Sequence, residues 1–139
     1  MDKFTRNYSI ILAVTVVLVL VWVLYESPGT SRLNALLSEN AEVASYPYRF
    51  RVIDLKNGVA TMSTPRSADF SAYRALAILY PELRNQAPDS PAMLDAQGEM
   101  ARVQGIARKI VVGSDDVSRV IWKLDENWLR SEGVDPSQL

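Results

Sequence analysis

Between Tyr8 and Tyr25 the chain runs for 18 residues without a charge, and twelve of them are Leu, Ile or Val. No other feature constrains the fold as much. A segment with no polar stripe cannot lie on the surface of a soluble domain, so it needs lipid or complete burial. As a helix it reaches about 27 Å, close to the roughly 30 Å hydrocarbon thickness of a bilayer. Its many Val residues favour strand in water, but an isolated strand in lipid leaves its amides unpaired, and helix wins. Ser9 and Thr15 carry hydroxyls that a helix lets bond back to a carbonyl one turn earlier. Tyr8 at one end, and Trp22 and Tyr25 at the other, suit the headgroup level.

A cleaved signal peptide is the competing reading, because a short basic stretch precedes the apolar run. The run exceeds the usual apolar core of about 7–15 residues, and it ends in the bulky WVLYESPG without a small-x-small cleavage motif. Residues 8–25 are therefore expected to be a retained signal anchor, a single transmembrane helix, with 1–7 as a short tail. Lys3, Arg6 and the amino terminus flank one end, and only Arg32 lies close beyond the other. The basic-residue bias then predicts a cytoplasmic N-terminus and a C-terminal domain on the periplasmic side of the inner (plasma) membrane.

The remaining 114 residues, with 13 basic and 15 acidic side chains, suffice for one small domain. That balance carries no electrostatic footprint for nucleic acid. The chain has no Cys and no His. Disulfides, thiolate nucleophiles, Ser-His-Asp catalysis and the usual zinc and haem sites are thereby excluded for this chain acting alone. Carboxylate chemistry and oxygen-ligated cations survive the exclusion.

Local signals order the outer part. Pro28-Gly29 breaks the first helix, and a short helix follows around Ser31 to Glu39, within a juxtamembrane segment 26–45 that either lies on the surface or turns into the domain. Residues 46–139 are expected to form a small α+β domain. Asn57-Gly58 between two strand-like runs is the pairing of a type I′ hairpin turn. It sets Lys56 opposite Val59, Asp54 opposite Thr61 and Ile53 opposite Met62. The apolar face near the turn (Ile53, Leu55, Ala60, Met62) is one residue out of phase with Tyr48, Phe50 and Val52 farther away, where Arg49 and Arg51 oppose them. This phase change points to a bulge or to a sheet covered differently at its ends. A helix is predicted from Pro65 or Ala68 to Tyr80, ended by Pro81. Ser90 caps a long helix whose seam is Met93, Ala96, Met100, Val103, Ala107 and Ile110. Gly98 and Gly105 are read as places where a neighbouring backbone approaches. Val120, Trp122 and Leu124 alternate with Arg119, Ile121 and Lys123 in a third strand, and Asp125 caps a last short helix. The sum is a hairpin plus a third strand, with helices mainly on one face.

Three groups of residues invite a functional reading. Thr64, Arg66 and Ser67, in STPRS between a strand and a helix, combine hydroxyls, amides and a guanidinium suited to an anion. The plainer alternative makes Thr64 or Ser67 a helix cap. Asp115-Asp116 and Asp125-Glu126 are adjacent carboxylates, but chemistry needs convergence across space, so turns and caps explain them more simply. Tyr46, Tyr48, Phe50, Trp122 and Trp128 are core material, with Tyr46 and Tyr48 as an expected exposed contact for a partner. No cofactor or metal is expected. The function expected is a non-catalytic accessory, assembly or scaffolding subunit of a larger membrane complex, touching the bilayer through residues 8–25 and other membrane or periplasmic proteins through its domain. The alternative is a tethered domain that binds a small anion or an envelope ligand.

Overall fold

The computed structural model describes residues 2–24 and 28–139. Helix α1 spans Lys3–Leu24, and none of its residues is buried. It is long and apolar enough to cross a membrane, which a retained anchor and a signal sequence both satisfy. The Thr15 hydroxyl donates to the Ile11 carbonyl at 2.8 Å, the bond-back that lets a hydroxyl enter an apolar helix. Tyr25, the second aromatic expected at the outer headgroup level, and Glu26 and Ser27 of the expected juxtamembrane segment lie outside the described residues.

The domain begins at once with α2 (Pro28–Glu39) and α3 (Ala41–Ser45). Pro28 and Gly29 open α2 rather than preceding it, as a proline at a helix start permits. The segment turns into the domain: Leu33, Leu37 and Val43 belong to the same buried cluster as the sheet and the long helix. Helix α3 exists because the Asn40 side chain accepts from the Glu42 and Val43 amides at 3.0 and 3.1 Å.

Strands β1 (Val52–Lys56) and β2 (Val59–Thr64) form the hairpin. Asn57 and Gly58 have φ of 53° and 78°, the positive values a type I′ turn demands. Lys56 pairs with Val59 and Asp54 with Thr61, as the turn dictates, but Val52 rather than Ile53 faces Met62. The extra residue is a bulge. It resolves the phase change by placing Val52 in the core and leaving Ile53 46 % exposed, so the reading of Ile53 as a core residue is corrected. The outer edge of β1 is covered at Val52 by the Asn34 side chain of α2. It accepts from the Val52 amide at 2.7 Å and donates to the Val52 carbonyl at 3.0 Å. A side-chain amide there does the work of a fourth strand.

Helix α4 covers Ala72–Leu79 and α5 covers Pro91–Val112. The expected start of α4 at Pro65 or Ala68 is corrected to Ala72. Ser67 accepts from the Asp69 and Phe70 amides and its own amide donates to the Phe70 carbonyl, which turns the chain and drives Phe70 into the core. Ser71 is the cap, accepting from the Arg74 amide. Helix α5 starts as expected, with the Ser90 hydroxyl accepting from the Met93 amide and Pro91 in the first turn. Met93, Met100, Val103 and Ala107 are buried along it, with Ala96 and Ile110 at the margin. A Cβ on Gly98 or Gly105 would meet nothing within 4 Å, so no backbone approaches there and that expectation is corrected.

The two helices return the chain so that β3 (Arg119–Leu124) runs parallel to β2 at the other side, giving the order β1-β2-β3. Ala60 pairs with Val120, Met62 with Trp122 and Thr64 with Leu124, and these rows face the helices. Helix α6 (Glu126–Ser131) closes the fold, capped by Asp125. The result is an α+β domain with a three-stranded mixed sheet.

Candidate functional site

The helices leave the other face of the sheet uncovered. Strand periodicity puts Lys56, Val59 and Arg119 in one row of that face, and Asp54, Thr61 and Ile121 in the next. The Ser63 amide donates to the Arg51 carbonyl at 2.9 Å, and Ser63 pairs with Lys123, so Arg51 and Lys123 flank the far end. Arg51, Ile53, Lys123 and Arg130 line an open groove of about 250 Å³ there. A neighbouring groove of about 420 Å³ adds Arg49, Pro47 and Trp128 and shares Arg51. Among the described residues Arg49, Arg51 and Lys123 make no ion pair, whereas Arg130 pairs with Glu126 at 3.4 Å. Ile121 is 42 % exposed on the same face. Free positive charge beside exposed aliphatic surface is a combination suited to an acidic protein segment.

Beneath this end lies an anchored polar pair. The Tyr48 hydroxyl donates to Asp125 Oδ2 at 2.8 Å, and Asp125 Oδ1 accepts from the Trp128 amide at 3.0 Å. The Asp125 amide in turn donates to the Thr64 carbonyl at 2.9 Å. Burial pushes the Tyr48 phenol well above its ordinary range; a hydrogen bond with Ser63 opposes this, and the neighbouring Asp125 carboxylate adds to it. The rings of Tyr48 and Trp128 meet edge to face at 5.4 Å, and those of Tyr48 and Phe50 at 5.0 Å. Asp125 is thus committed to structure, while Arg49, Arg51 and Lys123 at the surface make no ion pair among the described residues.

The residues singled out from sequence fall elsewhere. Tyr46 and Tyr48 are 8 % and 3 % exposed, so their rings are core rather than the exposed surface expected of a partner contact. Thr64 is buried and its hydroxyl accepts from the Arg66 amide at 3.4 Å, while Arg66 Nε donates to Gln104 at 3.1 Å. With Ser67 occupied as described above and no helix starting between Thr64 and Ala72, the helix N-terminus that motivated an anion site at Thr64, Arg66 and Ser67 is not there. Asp116 pairs with Arg32, and no group of three or more acidic side chains converges among the described residues. The grouping of Arg51 with Lys123 escaped the sequence reading because it depends on the β2–β3 register, across more than 60 residues of chain.

Compared with protein-family models, curated proteins and solved structures, the chain matches none.

Proposed function

We propose that α1 is retained in the inner membrane with its N-terminus in the cytoplasm, and that the domain is a non-catalytic accessory or scaffolding subunit of a larger membrane assembly. One observation carries this reading: a helix that is apolar on every side has no residue buried against its own domain. Such a surface is stable only in lipid or against another hydrophobic partner. The lack of Cys and His supports a docking role over a catalytic one. The cationic end of the open sheet face, around Arg51 and Lys123, supplies the docking surface.

The test is extraction of the intact protein from native membranes in mild detergent, followed by crosslinking and mass determination. Stoichiometric companions are expected, and Arg51→Glu combined with Lys123→Glu should release them while the protein stays in the membrane pellet. Migration of the wild-type chain solely as a free monomer overturns the assembly.

A further inference from the structure

Resting on the anchor reading above, we infer that one defined end of the domain lies on the headgroups of the bilayer that holds α1, and that Lys56, Lys109 and Arg119 meet anionic lipid there. Chain length sets the first constraint. From Leu24 at the end of α1 to Pro28 at the start of α2 there are four Cα steps, which span at most about 14 Å. The start of α2 is therefore held at the membrane surface, and whatever packs against it is held there too.

Contacts identify what packs there. Gly29 lies so close to β1 that a Cβ on it would come 2.9 Å from Leu55 Cδ2. Leu55 directly precedes Lys56 and the turn at Asn57-Gly58. The Gly58 carbonyl accepts from the Ser118 amide at 2.7 Å, the Ser118 hydroxyl at 3.0 Å and the Arg119 amide at 3.3 Å. Arg32, in the second turn of α2, donates to the Ser114 hydroxyl at 3.2 Å and pairs with Asp116. The start of α2, the hairpin turn and the loop 113–119 are thus tied into one end of the domain. The last turn of α5 joins them, with Lys109 and Gly113 lining a groove shared with Arg32 and Asp115.

The charge of this end favours anionic headgroups. Lys56, Lys109 and Arg119 make no ion pair among the described residues, and Arg32 offsets Asp116, which leaves Asp115 as the one unpaired carboxylate in the loop. Each cation within a Debye length of an anionic surface is attracted to it, and the attraction is screened by salt. Along the strands Arg51 lies five residues from Lys56 and Lys123 four residues from Arg119, roughly 13–17 Å from the headgroup end and clear for a protein partner.

The chain has no native Cys, so one introduced thiol is a unique labelling site. The full chain would be reconstituted into phosphatidylcholine vesicles with or without phosphatidylglycerol, carrying a nitroxide headgroup quencher. A fluorophore is attached through Asp115→Cys in one variant and through Asn127→Cys, at the far end, in another. Expected are flotation with the vesicles, severalfold stronger quenching at position 115 than at 127 when phosphatidylglycerol is present, and loss of that difference with Lys56→Glu plus Arg119→Glu. Flotation with equal quenching at the two positions, or quenching indifferent to phosphatidylglycerol, overturns the headgroup contact and leaves the anchor standing. Failure to float overturns the anchor, and the contact with it.

Discussion

Tyr46 and Tyr48 lie two residues apart and both are buried, yet their hydroxyls have opposite fates. Tyr48 donates to Asp125. The Tyr46 hydroxyl has no hydrogen-bond partner of acceptable geometry among the described residues, although the Tyr80 phenol lies close enough to add to the upward push that burial gives its pKa. A buried polar group without a partner costs stability, whereas one half of a satisfied pair costs more to remove than to keep. Tyr46→Phe should therefore be neutral or stabilise by up to about 1 kcal/mol, and Tyr48→Phe should destabilise by about 1–2 kcal/mol. Denaturant titration of the detergent-solubilised chain, followed through domain tryptophan fluorescence, separates the two. The same phenols set an alkaline limit. Their pKa values are raised above the ordinary value of 10 in the folded chain, so above that pH the unfolded chain loses protons that the folded chain keeps. Stability is full below pH 10 and falls as pH rises through the interval up to the folded values. Tyr48→Phe should flatten that decline, and a decline of unchanged slope would contradict the assignment.

At the scale of elements, α5 contains an unused reserve of stability. Gly98 and Gly105 sit on its exposed side with open space where a Cβ would go. Each mid-helix glycine costs about 0.8–1 kcal/mol against alanine, through backbone entropy. Gly98→Ala and Gly105→Ala should each raise stability by about that amount, and additively, because two turns of helix separate them. Loss of stability on either substitution would mean a packing contact that this structure does not contain. How much of the fold was legible follows the same division between local and distant causes. The Asn57-Gly58 turn, the Ser90 cap with Pro91 and the buried seam of α5 act within four residues, and sequence reveals them. The start of α4 did not yield, because Ser67 and Ser71 are both competent caps and burial of Phe70 decides between them. The bulge was signalled by the broken alternation, but its place at Ile53 depends on which residue meets Met62 across the hairpin. The cation pair on the open face depends on a parallel register that the α4–α5 crossover sets. The burial of Tyr48 depends on Trp128 arriving from the far end of the chain.

The whole molecule divides into an exposed apolar helix and a packed domain. All of α1 is exposed, and the buried cluster draws solely on residues from Leu33 onward. Deleting residues 1–27 should thus leave the core intact: the remaining chain should stay in the supernatant after ultracentrifugation and unfold cooperatively at the midpoint of the full-length domain in detergent. A lower midpoint would reveal stabilising contacts between α1 and the domain. The intact mass of the membrane-bound protein then distinguishes the two roles that an apolar N-terminal helix can play. Retention predicts a species near the full 15.5 kDa, resistant to alkaline carbonate. Cleavage predicts a lighter chain beginning beyond Tyr25 and released by the same wash. In the retained case, the outward orientation predicts that protease added to spheroplasts trims the domain while sparing a fragment that contains α1. Protection of the domain until the membrane is opened would reverse the topology and move the Arg51–Lys123 surface to the cytoplasmic side, where its partner would have to be sought instead.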